Sequence, residues 1–160
     1  MPSRKRVQNT HMSDQVRALH LALIEIVSVM NRPQRDEQMV REAGIALDRA
    51  LFPPLVLIER LGPIGIVELA DRAGRDYTTL SRQVAKLESL GLVKRHDHPG
   101  DKRVRAAVIT AKGKAMTDRI DAARERMAGA LFARWEARDI DALVRLMTKF
   151  AEDLRDAPDS

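Results

Sequence analysis

The sequence predicts a mainly α-helical protein with one small β-hairpin, and three observations support this fold class. Apolar residues recur at spacings of three and four over most of the 160 residues. Two short helical patterns on either side of Gly74-Arg75-Asp76 predict a helix-turn-helix. Extended patterns then flank Pro99-Gly100, which predicts a two-stranded hairpin. A hairpin directly behind a helix-turn-helix is a wing, so the predicted class is a winged helix-turn-helix.

Composition limits the classes of protein that this chain can belong to. Its length suits one compact unit, and 44% apolar residues suffice for a core. The absence of cysteine excludes a disulfide scaffold, a Cys-ligated zinc finger and a thiol-based redox sensor. Apolar runs stay far below the ~18 residues that cross a bilayer, and the basic start lacks the apolar stretch of a secretory signal. We therefore expect no membrane partner and a cytoplasmic location.

The N-terminal part predicts helices that need a partner. Residues 1–10 carry three basic and no acidic groups and are expected to form a basic flexible arm. From Asp14 to Met30 neither Gly nor Pro interrupts an apolar arc that is too wide for one neighbour. A second short helix is expected after Pro33, ending near Gly44. We assign residues 11–50 to N-terminal dimerisation helices.

Residues 51–110 are assigned to the winged helix-turn-helix domain. Pro53-Pro54 are expected to open a helix that Gly62-Pro63 end. In the second helix of the pair, residues 77–90, Asp76 or Thr78 is the expected N-cap and Gly91 the residue that follows the C-terminus. The remaining predicted elements are the first helix of the pair, residues 66–73, and two strands, residues 92–96 and 104–109.

Residues 111–160 are assigned to C-terminal dimerisation helices. Thr110 is the expected N-cap of a helix over residues 111–135, and a last helix is expected from about Asp139. The apolar faces of residues 16–30 and 140–154 require a partner, so we expect a dimer.

Positive charge is concentrated in the central segment. Residues 75–105 contain eight basic and four acidic residues, whereas residues 137–160 contain four basic and six acidic ones. Such a concentration is typical of a protein that binds the phosphate backbone of DNA, although a solvated surface without a partner is the alternative interpretation.

The second helix of the pair has the composition of a DNA-reading element. If Leu80, Val84 and Leu87 face inward, the opposite side presents short hydroxyls and two cations one turn apart. Hydroxyls allow close approach to a duplex, and the cations reach guanine acceptors or phosphates. The expected major-groove residues are Thr78, Thr79, Ser81, Arg82 and Lys86, with Gln83 also outward.

The hairpin tip supplies a second candidate contact. Arg103 is expected to enter the minor groove, where the negative potential is strongest over narrow A·T tracts, with Lys102 beside it. Asp101, two residues before Arg103, is expected to orient that guanidinium through a bidentate pair. An ordinary exposed ion pair is the alternative.

These residues resemble the MarR family of bacterial winged-helix regulators over roughly residues 14 to 155. The resemblance implies a homodimer with intertwined N- and C-terminal helices on a pseudo-palindromic operator, commonly as a ligand-responsive repressor. It also implies that Arg103 reads the minor groove while the outward residues of 78–86 face the major groove. The motifs that carry the resemblance are Glu68-Leu69-Ala70, the run from Asp76 to Glu88, Gly91-Leu92-Val93, Asp101-Lys102-Arg103 and Thr110-Ala111-Lys112-Gly113.

The resemblance also implies a small anionic aromatic effector bound between the dimerisation helices and the winged domain. His20, Arg17 and Arg49 are the candidate residues for its carboxylate, with His11 nearby. No cofactor is expected. His96 and His98 form the only close histidine pair, and structural metal sites need three or four ligands, so we expect no metal site.

The sequence bears on four other functions. An architectural or weakly specific DNA-binding protein without an effector remains open, because only sequence discrimination separates it from a repressor. An enzyme is not expected, since no nucleophile–base pair, phosphate loop or carboxylate pair stands out. A winged helix that binds proteins would not need Arg82, Lys86 and Arg103 together, and five scattered aromatic residues disfavour RNA binding by base stacking.

Overall fold

The computed structural model describes residues 4–157, and their side chains from residue 11 onward. It contains seven α-helices, one 3₁₀ turn and three short strands within that range. This arrangement confirms the predicted mainly helical fold with a β-wing. The elements in chain order are α1 (Arg4–Met30), α2 (Pro33–Glu42), the 3₁₀ turn (Arg49–Leu51), α3 (Phe52–Leu61), β1 (Ile64–Gly65), α4 (Ile66–Ala73), α5 (Tyr77–Ser89), β2 (Val93–His98), β3 (Asp101–Ile109), α6 (Ala111–Leu131) and α7 (Ala137–Asp156).

The chain divides into two compact units, residues 1–120 and residues 121–160. In the first unit α3, α4 and α5 contact one another, and the sheet contacts α3 and α4. The core of this unit consists of fully or almost fully buried side chains from these elements and from the turn before β2, namely Leu55, Ile58, Ile64, Leu69, Leu80, Val84, Leu87, Leu92 and Val93.

The sheet is antiparallel with the strand order β1-β3-β2. Val93 lies opposite Ile109 at the base of the wing, and His98 lies opposite Asp101 at its tip, with a register shift between Asp97 and His98. The strands extend further than the sequence predicts, and the tip narrows to Pro99-Gly100. β1 is absent from the prediction because two residues are too few to show a period.

The ends of α1 and α6 differ from the predicted ones. α1 begins at Arg4, because no Gly or Pro interrupts residues 4–30, so the described part of the expected flexible arm is helical. Residues 1–3 lie outside the described residues. α6 ends at Leu131 rather than at residue 135, where a turn closed by the Trp135 N–H and the Phe132 carbonyl (2.9 Å) leads into α7.

The terminal helices expose their apolar faces in the single chain. None of the α1 side chains from residue 11 to residue 30 is buried, and α7 has no buried residue either. Exposed apolar side chains on α1 include Val16, Ile24 and Val27, and those on α7 include Val144 and Leu154. The wide apolar arc predicted for α1 is therefore not covered by the rest of the first unit.

Candidate nucleic-acid interface

Burial of one face of α5 fixes which side chains point outward. Leu80, Val84 and Leu87 have no exposed surface, as the i, i+4, i+7 spacing predicts. The opposite face then presents the side chains that the sequence pattern predicts for the major groove. Thr78, Thr79, Arg82 and Lys86 are exposed, and Ser81 is half-buried.

Asp76 caps the N-terminus of α5. Its Oδ1 accepts a hydrogen bond from the Thr79 backbone N–H at 2.8 Å, which satisfies one of the unpaired amides of the first turn. Hydrogen bonds from the hydroxyl and backbone N–H of Thr79 lower the pKa of Asp76, and the Arg82 guanidinium acts in the same direction. The cap is therefore an ionised carboxylate at neutral pH, and it holds the end of α5 that carries Thr78 and Thr79.

The C-terminus of α5 is attached to the start of α6. Gly91 adopts a φ of +71°, and the Leu92 N–H donates to the Leu87 carbonyl at 3.0 Å, which is a Schellman closure. The Thr110 hydroxyl donates to the Gly91 carbonyl at 2.6 Å and accepts the Gly113 N–H at 3.0 Å. One side chain thus caps α6 and links it to the end of α5.

Three exposed polar residues occupy the wing tip: Asp101, Lys102 and Arg103. Asp101 Oδ1 accepts the backbone N–H of Arg103 at 2.9 Å. This contact replaces the predicted bidentate pair with the guanidinium, because in an extended chain the amide two residues on lies within easier reach. Asp101 therefore orders the tip backbone, and the Arg103 side chain extends from it into solvent.

Arg103 and the start of α5 share a surface. Both Arg103 and Tyr77 line one cleft of about 780 Å³, whose walls come from α4, the first turn of α5 and the wing. Tyr77 is 55% exposed although it is aromatic. The wing and the first turn of α5 therefore border the same cleft, although Arg82 and Lys86, further along α5, do not line it.

Arg95 braces the base of the wing against α5. Its Nε lies 3.3 Å from Glu88 Oε2, and the two groups form an ion pair. The geometry is not that of a hydrogen bond, so the buried Nε has no hydrogen-bond partner. The Arg95 carbonyl in turn accepts a long hydrogen bond from Arg105 at 3.5 Å. Three of the eight basic residues in the segment 75–105, namely Arg75, Arg95 and Arg105, thus contact other protein groups, which the charge count alone did not reveal.

Gln83 is held by protein rather than left to solvent as the sequence predicts. Its Oε1 accepts a hydrogen bond from Arg75 Nη1 at 2.9 Å, and the Gln83 side chain is half-buried. Arg75 lies in the turn between α4 and α5. Its role was missed because a contact between a turn and a helix eight residues away has no periodic signal.

Part of the chain matches the model of a known family. Residues 48–104 match the model of the MarR family, and this range contains α3 to α5 and the wing tip. This segment, which holds the helix-turn-helix and most of the wing, is similar to the MarR family.

One curated relative and several solved structures are also similar to this chain. The HTH-type transcriptional regulator YxaD of Bacillus subtilis is 34% identical over 92 residues, which span 58% of this chain and 64% of that relative's length. A MarR family protein from Bacillus stearothermophilus superposes with a TM-score of 0.70 at 19% identity, covering 89% of this chain and 97% of the other. A MarR family regulator from Silicibacter pomeroyi gives a TM-score of 0.66 at 21% identity, covering 86% and 92% of the two chains. These two likenesses show the MarR fold.

The three candidate effector residues do not line one common cavity. Arg17 and His20 line a shallow cavity on α1 of about 550 Å³, which Arg49 does not line. Arg49 begins the 3₁₀ turn, where its Nη1 pairs with Glu37 Oε1 of α2 at 2.9 Å. His11 is exposed on α1.

Within residues 4–157 no group of three or more His, Cys, Asp or Glu side chains is arranged to hold a metal ion. Of the predicted histidine pair, His98 Nδ1 accepts the Gly100 N–H at 3.0 Å and shapes the wing turn, while His96 is exposed. None of the helices described here is both long and apolar enough to span a membrane.

Proposed function

We propose that this chain is a sequence-specific regulator of transcription that binds double-stranded DNA as a homodimer. The observation that carries the proposal is the outward face of α5 beside Arg103. Four of the five candidate major-groove residues are exposed there, over a fully buried apolar face. The match of residues 48–104, which contain this surface, to the model of the MarR family supports the same function.

The chemistry of this surface suits both grooves of a duplex. Arg82 and Lys86 lie one turn apart and reach the guanine O6 and N7 acceptors or the flanking phosphates. Thr78 and Thr79 are short enough for the N-terminus of α5 to approach the groove closely. Arg103, on a narrow tip, is suited to the minor groove, and Lys102 beside it to a phosphate.

Homodimer formation is supported by the uncovered apolar faces of α1 and α7. Val16, Leu19 and Ile24 on α1, and Val144 and Leu154 on α7, are exposed apolar side chains, and exposed apolar faces are typical of surfaces that contact another protein. A twofold assembly would present two copies of α5, and its DNA site would be pseudo-palindromic.

We further propose that the regulator is a repressor that responds to a small anionic aromatic effector. Arg17 and His20 beside one cavity of α1 support a carboxylate ligand. Arg49 is the weaker candidate of the three, because Glu37 already neutralises it.

The test is selection of duplexes from a random pool by the purified chain. Enrichment of an inverted-repeat site is the expected result. The double variant Arg82→Ala/Lys86→Ala should lose this enrichment, whereas Arg134→Ala/Lys149→Ala removes the same charge elsewhere and should keep it. Binding without enrichment would favour the architectural alternative, and no binding to any duplex would contradict the proposal.

A repetition of the selected-duplex binding assay with benzoate-like ligands tests the effector. We expect such a ligand to release the duplex from the wild-type chain. The same ligand should not release the duplex from Arg17→Ala. Equal affinity with and without each ligand would contradict this part of the proposal.

A further inference from the structure

The Arg75 guanidinium connects α5 to the chain segment that precedes α3. Arg75 Nη1 donates to Gln83 Oε1 of α5 at 2.9 Å and to the Ala50 carbonyl of the 3₁₀ turn at 3.3 Å. One nitrogen with two N–H groups therefore joins two elements that are more than 30 residues apart in sequence.

The turn between α4 and α5 fixes where this guanidinium starts. The Arg75 backbone N–H donates to the Ala70 carbonyl at 3.0 Å, which closes the C-terminus of α4. The Arg75 side chain is half-buried, unlike Arg72 of α4, which is exposed and pairs with Glu68 of its own helix. Both ends of the Arg75 side chain are thus held.

The acceptor on the other side is also ordered. Asp48 Oδ1 accepts the Ala50 N–H at 2.7 Å and caps the 3₁₀ turn that carries the Ala50 carbonyl. Arg49 pairs with Glu37 of α2, and Asp36 of α2 is half-buried near Arg75, Arg49 and Arg35. Burial raises the pKa of Asp36, while these three guanidinium groups act in the opposite direction. A polar cluster thus runs from α2 through the 3₁₀ turn to α5.

Gln83 is well placed to control the rotation of α5 about its own axis. It precedes the buried Val84 and follows Arg82, and it lies one turn after Thr79. A rotation of about 20° moves a group ~6 Å from the helix axis by ~2 Å, given the usual helix diameter. Such a displacement exceeds the tolerance of a hydrogen bond to a base edge.

We infer that Arg75 is a positioning residue that sets the rotation of α5 through Gln83 and couples this setting to α2. The inference rests on the proposed function, in which α5 reads duplex DNA. Arg75 itself need not touch the duplex in this role.

The experiment compares Arg75→Met with its matched control Arg72→Met, which removes one cation from the same helix pair without a link to α5. The measured quantity is the ratio of affinity for the selected duplex to affinity for a scrambled one. We expect Arg75→Met to lower this ratio roughly tenfold, as loss of one good base contact does. Arg72→Met should lower both affinities alike, and Arg75→Lys, which keeps several N–H donors, should restore part of the ratio.

A second variant separates positioning from direct contact. Gln83→Leu removes the hydrogen-bond acceptor of Arg75 without changing the charge. It should lower the ratio of the two affinities in the wild-type background. The double variant Arg75→Met/Gln83→Leu should have the same ratio as Arg75→Met alone. An additional loss in the double variant would mean that Gln83 contacts DNA directly and would overturn the inference. Equal ratios for Arg75→Met and Arg72→Met would overturn it as well.

A readout without DNA keeps the inference separate from the proposed function. Amide hydrogen exchange over residues 79–87 should be severalfold faster in Arg75→Met than in Arg72→Met, because α5 loses a restraint. Exchange that is equal in both variants would overturn the inference. A wild-type chain that binds no duplex contradicts only the proposed function, and the exchange experiment still decides whether Arg75 holds α5. Should Arg75→Met fail to fold, the same two measurements on Gln83→Leu decide.

Discussion

At the scale of single residues, the backbone around Gly113 leaves no room for a side chain. A Cβ built there would lie 2.1 Å from the Leu92 carbonyl oxygen and 2.7 Å from Ile109 Cδ1. The same turn holds the Gly113 N–H against the Thr110 hydroxyl. The Thr-x-x-Gly motif is therefore a packing requirement at the contact between the strands and α6.

Gly113→Ala is expected to destabilise the protein despite the better helix propensity of alanine. Alanine gains up to about 1 kcal/mol in a helix, whereas overpacking against a rigid carbonyl costs about 1–3 kcal/mol. Urea unfolding measures the net loss. The control is Gly129→Ala, also in α6, where a Cβ meets nothing within 4 Å, so stability should rise. Equal effects at the two positions would contradict this account of the motif.

The Asp76 cap predicts a defined pH dependence. The pKa of Asp76 is lowered in the folded state, so its charge stabilises the fold above its ordinary value of 3.8 and ceases to do so as pH falls through the lowered pKa. The difference in unfolding free energy between wild type and Asp76→Asn should therefore shrink at acidic pH. A difference for Asp76→Asn that is constant with pH would refute the prediction.

At the scale of elements, the wing tip and α5 contribute different parts of the proposed DNA surface. The Arg103 side chain is exposed. Asp101 orders the tip by accepting the backbone N–H of residue 103, and an alanine at this position keeps that N–H. Arg103→Ala should therefore weaken binding to the selected duplex about tenfold, on the scale of one specific contact. Thermal unfolding should stay nearly unchanged, because no buried group is removed.

Lys149→Ala is the matched control for Arg103→Ala, since it removes one exposed cation from α7. Its affinity for the selected duplex should stay close to that of wild type in an electrophoretic mobility-shift titration. Unaltered affinity in Arg103→Ala would refute the wing assignment.

Sequence patterns predicted the elements with clear periods and missed the contacts between elements. The inner face of α5 follows from the spacing of Leu80, Val84 and Leu87, and Gly91 marks the end of that helix. β1, by contrast, exists only because β3 offers it an edge. The Arg75–Gln83 contact likewise depends on how the turn packs, which no local pattern encodes.

At the scale of the whole molecule, the exposed apolar faces predict the oligomeric state. Light scattering at micromolar concentration should give the mass of a dimer, because α1 and α7 expose apolar side chains that water disfavours. Ile24→Glu places a charge in the apolar face of α1 and should shift the mass toward that of a monomer. Gln34→Glu, at an exposed position of α2, introduces the same charge and should leave the dimer intact. A monomeric wild-type chain would contradict the proposed homodimer.

The pairing of β3 makes the stiffness of the wing change along its length. β1 and β2 flank β3 together only at Ala106 and Ala107, whereas Asp101 at the tip pairs only with His98. The base of the wing is therefore fixed to the core, and the tip can bend without moving α5. Adaptation to grooves of different width and discrimination between bases would then evolve separately, the first through changes near Pro99-Gly100 and the second through changes on α5.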